Sequence, residues 1–135
     1  MVSGLPFWRG LAPHFLSLLR LMAGLLVLEY GTMKILHFPY AEYFANVAPF
    51  SLIWCAGLLE LVGGALVAVG LFTRCAAFVL SGEMAFAYFI GHAPRSFYPA
   101  LNEGVAAVLF CFVFLYLSAA GGGPWSLDRI IRKAG

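Results

Sequence analysis

Four long apolar stretches, each with charged side chains inside it or at its edge, constrain this chain more than any other feature. They cover residues 15–30, 51–72, 75–90 and 100–119. Hydrophobic residues make up 63% of the chain and charged residues only 10%. A soluble domain carries roughly 25% charged residues, so this composition is typical of a membrane protein. The length of 135 residues provides one domain.

The stretches predict an all-α fold, an integral membrane four-helix bundle formed by a single domain over residues 1–135. A helix that crosses a bilayer needs about 20 mostly apolar residues. Pro39 and Pro94 follow the first and third stretches and disfavour helix at the residues before them. The predicted spans are residues 15–36, 50–72, 75–91 and 100–119.

Lys and Arg residues are distributed unequally between the two sides of the predicted bundle. With four spans, both termini share one side, which carries Arg9, Arg74, Arg129, Arg132 and Lys133. The opposite side carries Lys34 and Arg95. Because cytoplasmic loops hold the excess of positive charge, we expect a multi-pass protein of the bacterial inner membrane with both termini in the cytoplasm.

Charged residues inside the spans indicate a polar interior, because a charge in hydrocarbon costs about 3 kcal/mol or more. The acids outnumber the bases: Glu29, Glu60, Glu83 and Glu103 against Arg20 and Lys34. A buried carboxylate without a partner takes up a proton. Two interpretations stay open, ion pairs that fix helix register or a site that binds a proton or a ligand. We expect Arg20 to reach Glu83 first and Glu60 second.

Small residues share helix faces with these charges, which predicts close packing around the interior. The first span aligns Arg20, Gly24, Gly31 and Lys34. The second aligns Gly57, Gly64 and Ala68 beside Glu60, and the third aligns Ala76, Glu83, Ala87 and Ile90. The predicted buried polar or ligand pocket consists of Arg20, Lys34, Glu60, Glu83, His92 and Asn102, with Lys34, His92 and Asn102 at its outer mouth. No catalytic residue is assigned.

Several classes of function find no support in the sequence. Cys55, Cys75 and Cys111 form no C-x-x-C pair, which argues against a thiol–disulfide enzyme. His37 and His92 lie at helix ends without an H-x-x-x-H spacing, so no metal site is predicted, and His92 is expected to bond a carboxylate or a loop. No flavin, haem or Fe–S motif occurs. The net charge of +2 and the lack of a basic cluster predict no nucleic-acid partner.

An ordered set of short motifs resembles the DoxX family of small four-helix membrane proteins. The motifs run from Leu16 to Asp128: Gly31-x-x-Lys34, Glu60-x-x-Gly63-Gly64, Gly70-Leu71-Phe72-Thr73-Arg74, Met84-Ala85, His92-Ala93-Pro94-x-x-Phe97-x-Pro99-x-x-Asn102, Phe112-x-Phe114-Leu115-Tyr116-Leu117 and Gly123-Pro124-Trp125-Ser126-Leu127-Asp128. Relatives often carry Gly-Gly-Glu after the Asn that Asn102 matches. Here Glu103 comes directly after Asn102, on another face of the helix, so no role is transferred to it.

The resemblance implies a fold but not one function, because members of a family with the same fold can have different functions. Some relatives are subunits of thiosulfate:quinone oxidoreductase, and others are membrane partners of redox-defence enzymes or assembly factors. We therefore expect a membrane subunit linked to quinone or thiol redox chemistry. Whether the chain is itself an enzyme stays open, and any electron carrier would be a bound quinone or belong to a partner.

Two alternatives stay open beside this expectation. The first is a non-enzymatic assembly or anchoring subunit of a membrane complex. The second is a small transporter, which four helices without an inverted repeat make weaker. The expected partners are the lipid bilayer and other membrane or redox subunits, or further copies of this chain.

The predicted orientation can be tested with reporter fusions. A reporter that is active only in the periplasm should be silent when it is fused after Gly135 and active when it is inserted near Glu42. The reverse pattern of activity would contradict the orientation.

Overall fold

Helices and the turns that connect them build the computed structural model, which describes residues 4–134 and contains no strand within them. The α-helices are α1 (Leu5–Ile35), α2 (Leu52–Val69), α3 (Thr73–Ala87), α4 (Pro99–Asn102), α5 (Val105–Ala120) and α6 (Leu127–Ala134). A 3-10 turn at Glu42–Phe44 lies between α1 and α2, and a π-helical turn at Tyr88–His92 extends α3. The predicted all-α class is therefore confirmed.

Three helices of the described chain are long and apolar enough to cross a membrane. They are α1, α2 and the continuous segment Thr73–His92, with 31, 18 and 20 residues. α5 is equally apolar but has only 16 residues. Glu103 adopts a left-handed conformation with φ of 59°, so the helical path over residues 100–119 is divided between α4 and α5. The membrane boundaries of the four predicted spans stay a prediction.

The junction between α2 and α3 is a tight turn with identifiable start and stop signals. Ser51 caps α2 by accepting a hydrogen bond from the Trp54 N–H at 3.3 Å. At the other end Gly70 is left-handed, and its N–H donates to the Leu66 carbonyl at 2.9 Å. α3 begins at Thr73, only three residues after Gly70, so the two helices follow each other almost directly in the chain.

Glycines bring α1 and α2 into backbone contact. A Cβ atom on Gly31 would lie 2.5 Å from the Leu61 amide nitrogen, and one on Gly64 would lie 2.7 Å from that of Leu28. A side chain at either position would therefore have to move the neighbouring backbone. The small-residue faces predicted for the first two spans are confirmed as this interface.

α3 and α5 form the second closely packed pair. Leu80 on α3 and Phe114 and Leu117 on α5 are fully buried at the centre of the core. The Ser81 hydroxyl donates to the Cys111 carbonyl at 2.7 Å and ties the two helices together. The face predicted for the third span fails at Ile90, which is exposed, because the π-helical turn shifts the helical register after Ala87.

The close approach of α1 and α2 can be tested with one methyl group. Gly64→Ala should lower the free energy of unfolding by about 1–3 kcal/mol, because its Cβ would meet the Leu28 backbone. Gly82→Ala is the matched control, since no atom lies within 4 Å of a Cβ at that helical position. Thermal unfolding in a mild detergent measures both variants, and equal stability of the two would contradict this packing.

Candidate functional site

An ion pair between α1 and α2 lies at the centre of the polar interior. The Lys34 ammonium donates to both carboxylate oxygens of Glu60 at 2.9 Å. Glu60 is 2% exposed and Lys34 is 12% exposed by side chain. The prediction that Glu60 faces the bundle is therefore confirmed, and its partner is Lys34 rather than Arg20.

The Lys34 side chain is held in place by its neighbours on α2 and in the α1–α2 loop. Gly57 leaves room for the aliphatic part of the lysine, because a Cβ there would lie 2.7 Å from the Lys34 Cβ. The Phe44 ring covers the ammonium, with its centroid 5.3 Å from Nζ. A cation over an aromatic face gains about 0.5–1 kcal/mol or more when water is excluded. The Phe44 ring therefore covers one side of the Lys34 ammonium.

Glu83 on α3 adds a second carboxyl to this pair. It is buried, and Glu60 from α2 and Lys34 from α1 are its charged neighbours. Within the described residues neither Glu83 oxygen has a hydrogen-bond partner. A buried carboxyl without a partner favours its neutral, protonated form. We name Lys34, Glu60 and Glu83 the carboxyl cluster.

Arg20 does not join the carboxyl cluster, so the predicted Arg20–Glu83 ion pair is wrong. Its guanidinium donates to four main-chain carbonyls, those of Val67, Ala68, Gly122 and Trp125, at 2.6–2.9 Å. Carbonyls at the end of α2 have no partner within their own helix and carry the negative end of its dipole. The arginine therefore binds the helix end and the segment before α6 instead of a carboxylate.

Two further charged side chains cap helix ends near Arg20. The Asp128 carboxylate accepts the N–H groups of Phe72 and Thr73 at 2.8 and 2.9 Å, where α3 begins. Burial alone would raise the pKa of Asp128, but these hydrogen bonds outweigh it and hold the pKa below its ordinary value. Arg74 donates to the Ser118 and Ala119 carbonyls at the end of α5. These contacts are structural caps of the kind that stabilise helix ends.

His92, at the end of the π-helical turn, and Asn102, at the end of α4, come together, and neither forms a hydrogen bond with Lys34 within the described residues. The Asn102 amide donates to the Ser96 carbonyl at 2.8 Å and to the Tyr88 hydroxyl at 3.2 Å. Its oxygen accepts the Gly104 N–H at 2.8 Å. His92 Nδ1 lies 3.0 Å from the Asn102 carbonyl, and a carbonyl only accepts, so Nδ1 carries the proton. The expected loop contact of His92 is confirmed.

The two remaining acids of the sequence prediction lie outside the interior. Glu29 is exposed on the outer face of α1. Glu103 is 82% exposed and pairs weakly with Arg95 at 3.4 Å. Among the described residues the buried acids are therefore Glu60 and Glu83. They share the interior with Lys34, whereas Arg20 binds main-chain carbonyls elsewhere.

An open groove of about 470 Å³ lies on the exposed side of α1, next to the segment that follows this helix. It is lined by Leu25, Leu28, Glu29, Thr32, Phe38 and Pro39. Glu29 and Lys34 are about 140° apart around the helix, so the groove and the carboxyl cluster are on different faces of α1. We name it the α1 groove.

Sequence reasoning did not identify Phe44, Tyr88 or Asp128 as part of the polar framework. Tyr88 lies one turn before His92, so its spacing could have indicated a shared face. Asp128 caps a helix that begins 55 residues earlier, and no local pattern reveals such a contact. Phe44 ends a short 3-10 turn in the connection between α1 and α2, and no local pattern predicts where this connection places the ring.

The apolar outer surfaces and the buried charged side chains define an all-α membrane protein with a charged centre. The sequence model of the DoxX family, described as DoxX, matches residues 15–93, more than half of the chain. The chain belongs to the DoxX family. The motifs after residue 93 lie beyond that match.

A curated relative supports the same assignment over a longer range. An uncharacterized protein of Haemophilus influenzae is 42% identical over 123 residues, which cover 87% of this chain and 90% of the relative. No solved structure matches the chain.

The Lys34–Glu60 ion pair predicts a large effect of a small chemical change. Glu60→Gln should lower the free energy of unfolding by about 3–5 kcal/mol, because the buried ammonium loses the carboxylate that it contacts directly and Glu83 forms no hydrogen bond that replaces it. Glu29→Gln is the control, since an exposed carboxylate should change stability by no more than about 0.5 kcal/mol. Unfolding curves in one detergent compare the variants, and a stable Glu60→Gln protein would contradict the ion pair.

Proposed function

We propose that this chain is a membrane subunit of a quinone-linked redox system in the bacterial inner membrane, and that the carboxyl cluster holds its proton. The observation that carries the proposal is Glu83, a buried carboxyl without an N–H or hydroxyl donor among the described residues. Among the described residues a lysine and a second carboxyl are its charged neighbours. Such a group is suited to accept and release a proton.

Charge balance supports a proton in the carboxyl cluster. Lys34 contributes one positive charge from α1, and Glu60 and Glu83 face it from α2 and α3. α5, which packs against α3, carries no charged residue. With both carboxyls ionised the cluster would keep a buried net charge, which is costly. One proton makes the cluster neutral.

The α1 groove has the chemistry to hold a quinone ring. Leu25, Leu28 and Phe38 give it apolar walls, and it is open to the side where lipid would lie. Glu29 and Thr32 add polar groups that can contact ring oxygens, as binding sites of this kind combine apolar walls with a few polar groups. A quinone supplies the transfer of electrons when it is bound, with uptake of protons.

We also propose how the chain is oriented in the membrane and which kind of subunit supplies its electrons. Both termini are placed in the cytoplasm because of the distribution of Lys and Arg. The electron donor is assigned to another redox subunit, as the resemblance to thiosulfate:quinone oxidoreductase subunits implies. Further copies of this chain are the other candidate neighbours in the complex.

The first experiment measures quinone in the protein purified from its native membrane in a mild detergent. Quinone should be present in near-stoichiometric amount, and Leu25→Trp should remove most of it by filling the α1 groove. Leu109→Trp is the control, because Leu109 is exposed on α5 and lies outside the groove. A wild-type protein without quinone would overturn the assignment.

The second experiment separates the proton from the binding of quinone. In the native complex Glu83→Gln should keep its quinone, because Glu83 lies outside the α1 groove, but should slow quinone reduction, because the carboxyl cluster can no longer exchange a proton at Glu83. Glu103→Gln is the matched control at an exposed carboxylate. An unchanged rate in Glu83→Gln would contradict the role of the carboxyl cluster.

One observation favours the second candidate, an assembly or anchoring subunit. Arg20, Arg74 and Asn102 are bound by main-chain groups of the same chain, as expected for residues that fix the shape of the bundle. A stoichiometric membrane partner that purifies with the chain in the absence of quinone would support this candidate.

A further inference from the structure

A basic pocket lies at the end of the bundle where α3, α5 and α6 meet. Its volume is about 190 Å³. Its walls combine three arginines with the glycine turn after α5: Arg74, Arg129, Arg132, Gly121, Gly122 and Gly123. The glycines contribute no side chains, so the guanidinium groups dominate the chemistry of the pocket.

The positive charge of this basic pocket is not balanced inside the described part of the chain. Arg129 and Arg132 are exposed, and within residues 4–134 neither side chain forms a hydrogen bond or a salt bridge. Asp128 is the acid of α6, but its carboxylate is occupied by the N–H groups at the start of α3. Arg74 is turned towards the end of α5. The three arginines of the basic pocket therefore have one carboxylate nearby, that of Asp128, and it already accepts two hydrogen bonds.

The position of α6 places the basic pocket at the membrane surface. Leu127, Ile130 and Ile131 are exposed and fall within an arc of about 100° on the helix, whereas Arg129 and Arg132 lie on the opposite side. A helix with such faces lies in the plane of the interface, with its apolar side among the acyl chains.

Tryptophan side chains at the same end of the bundle support the position of the basic pocket at the membrane surface. Trp8 and Trp125 are both more than half exposed, and Trp125 packs near His14 at 5.4 Å between ring centroids. Tryptophan is enriched at the level of the lipid headgroups. The basic pocket therefore opens where the phosphates of the bilayer lie.

We infer that the basic pocket binds the phosphate group of an anionic phospholipid. Guanidinium groups match phosphate oxygens in geometry and charge, and basic pockets beside membrane helices bind anionic headgroups. A soluble phosphate offers the same charge, but only a lipid also provides acyl chains for the exposed apolar face of α6. This site is independent of quinone and of the carboxyl cluster.

The test uses the full-length protein in nanodiscs of phosphatidylcholine with or without phosphatidylglycerol. Phosphatidylglycerol should raise the midpoint of thermal unfolding and remain bound in native mass spectra. The double variant Arg129→Gln with Arg132→Gln should bind this lipid about 30-fold more weakly, the effect expected for two basic residues at an anionic surface. Both side chains are exposed, so folding in phosphatidylcholine should be unchanged.

A matched pair of substitutions controls for net charge. Arg9→Gln with Arg95→Gln removes the same charge outside the basic pocket and should keep the wild-type affinity for phosphatidylglycerol. Equal weakening in both double variants would overturn the site, as would a wild-type protein that does not retain the lipid. Equal stabilisation by inorganic phosphate in phosphatidylcholine alone would overturn the assignment to a lipid.

Discussion

The contact between Lys34 and Glu60 is the interaction on which the polar interior depends. A bilayer offers no water to these groups, so each must find its partner inside the protein. The glycine interface of α1 and α2 brings the two helices close enough for the ammonium to meet both carboxylate oxygens at 2.9 Å. Glu83 then packs against a pair that is already neutral. This arrangement is the reason why we propose the Glu83 carboxyl as the group of the cluster that exchanges a proton.

Helix ends are the second place where this constraint shapes the molecule. Arg20 binds carbonyls at the end of α2, Arg74 binds those at the end of α5, and Asp128 binds N–H groups at the start of α3. These contacts join residues that are between 44 and 56 positions apart in the chain. Charged side chains thus replace the water that would solvate the same groups in a soluble protein. The same end of the bundle carries the surplus arginines of the basic pocket.

Sequence periodicity was sufficient to predict the all-α fold and the buried position of Glu60, because small residues and acids recur on one helical face. It could not select the partner of Arg20, since any carbonyl or carboxylate of similar depth was available to a long side chain. Ile90 was misplaced because a π-helical turn changes the angle between residues. Asp128 was missed because its contact depends on how α6 folds back.

Infrared spectroscopy of the purified protein can detect the proton that we propose on the carboxyl cluster. At neutral pH we expect the carbonyl band of a buried protonated carboxyl, and this band should disappear in Glu83→Gln but persist in Glu29→Gln. Absence of the band in the wild-type protein, or its persistence in Glu83→Gln, would show that Glu83 does not hold a proton.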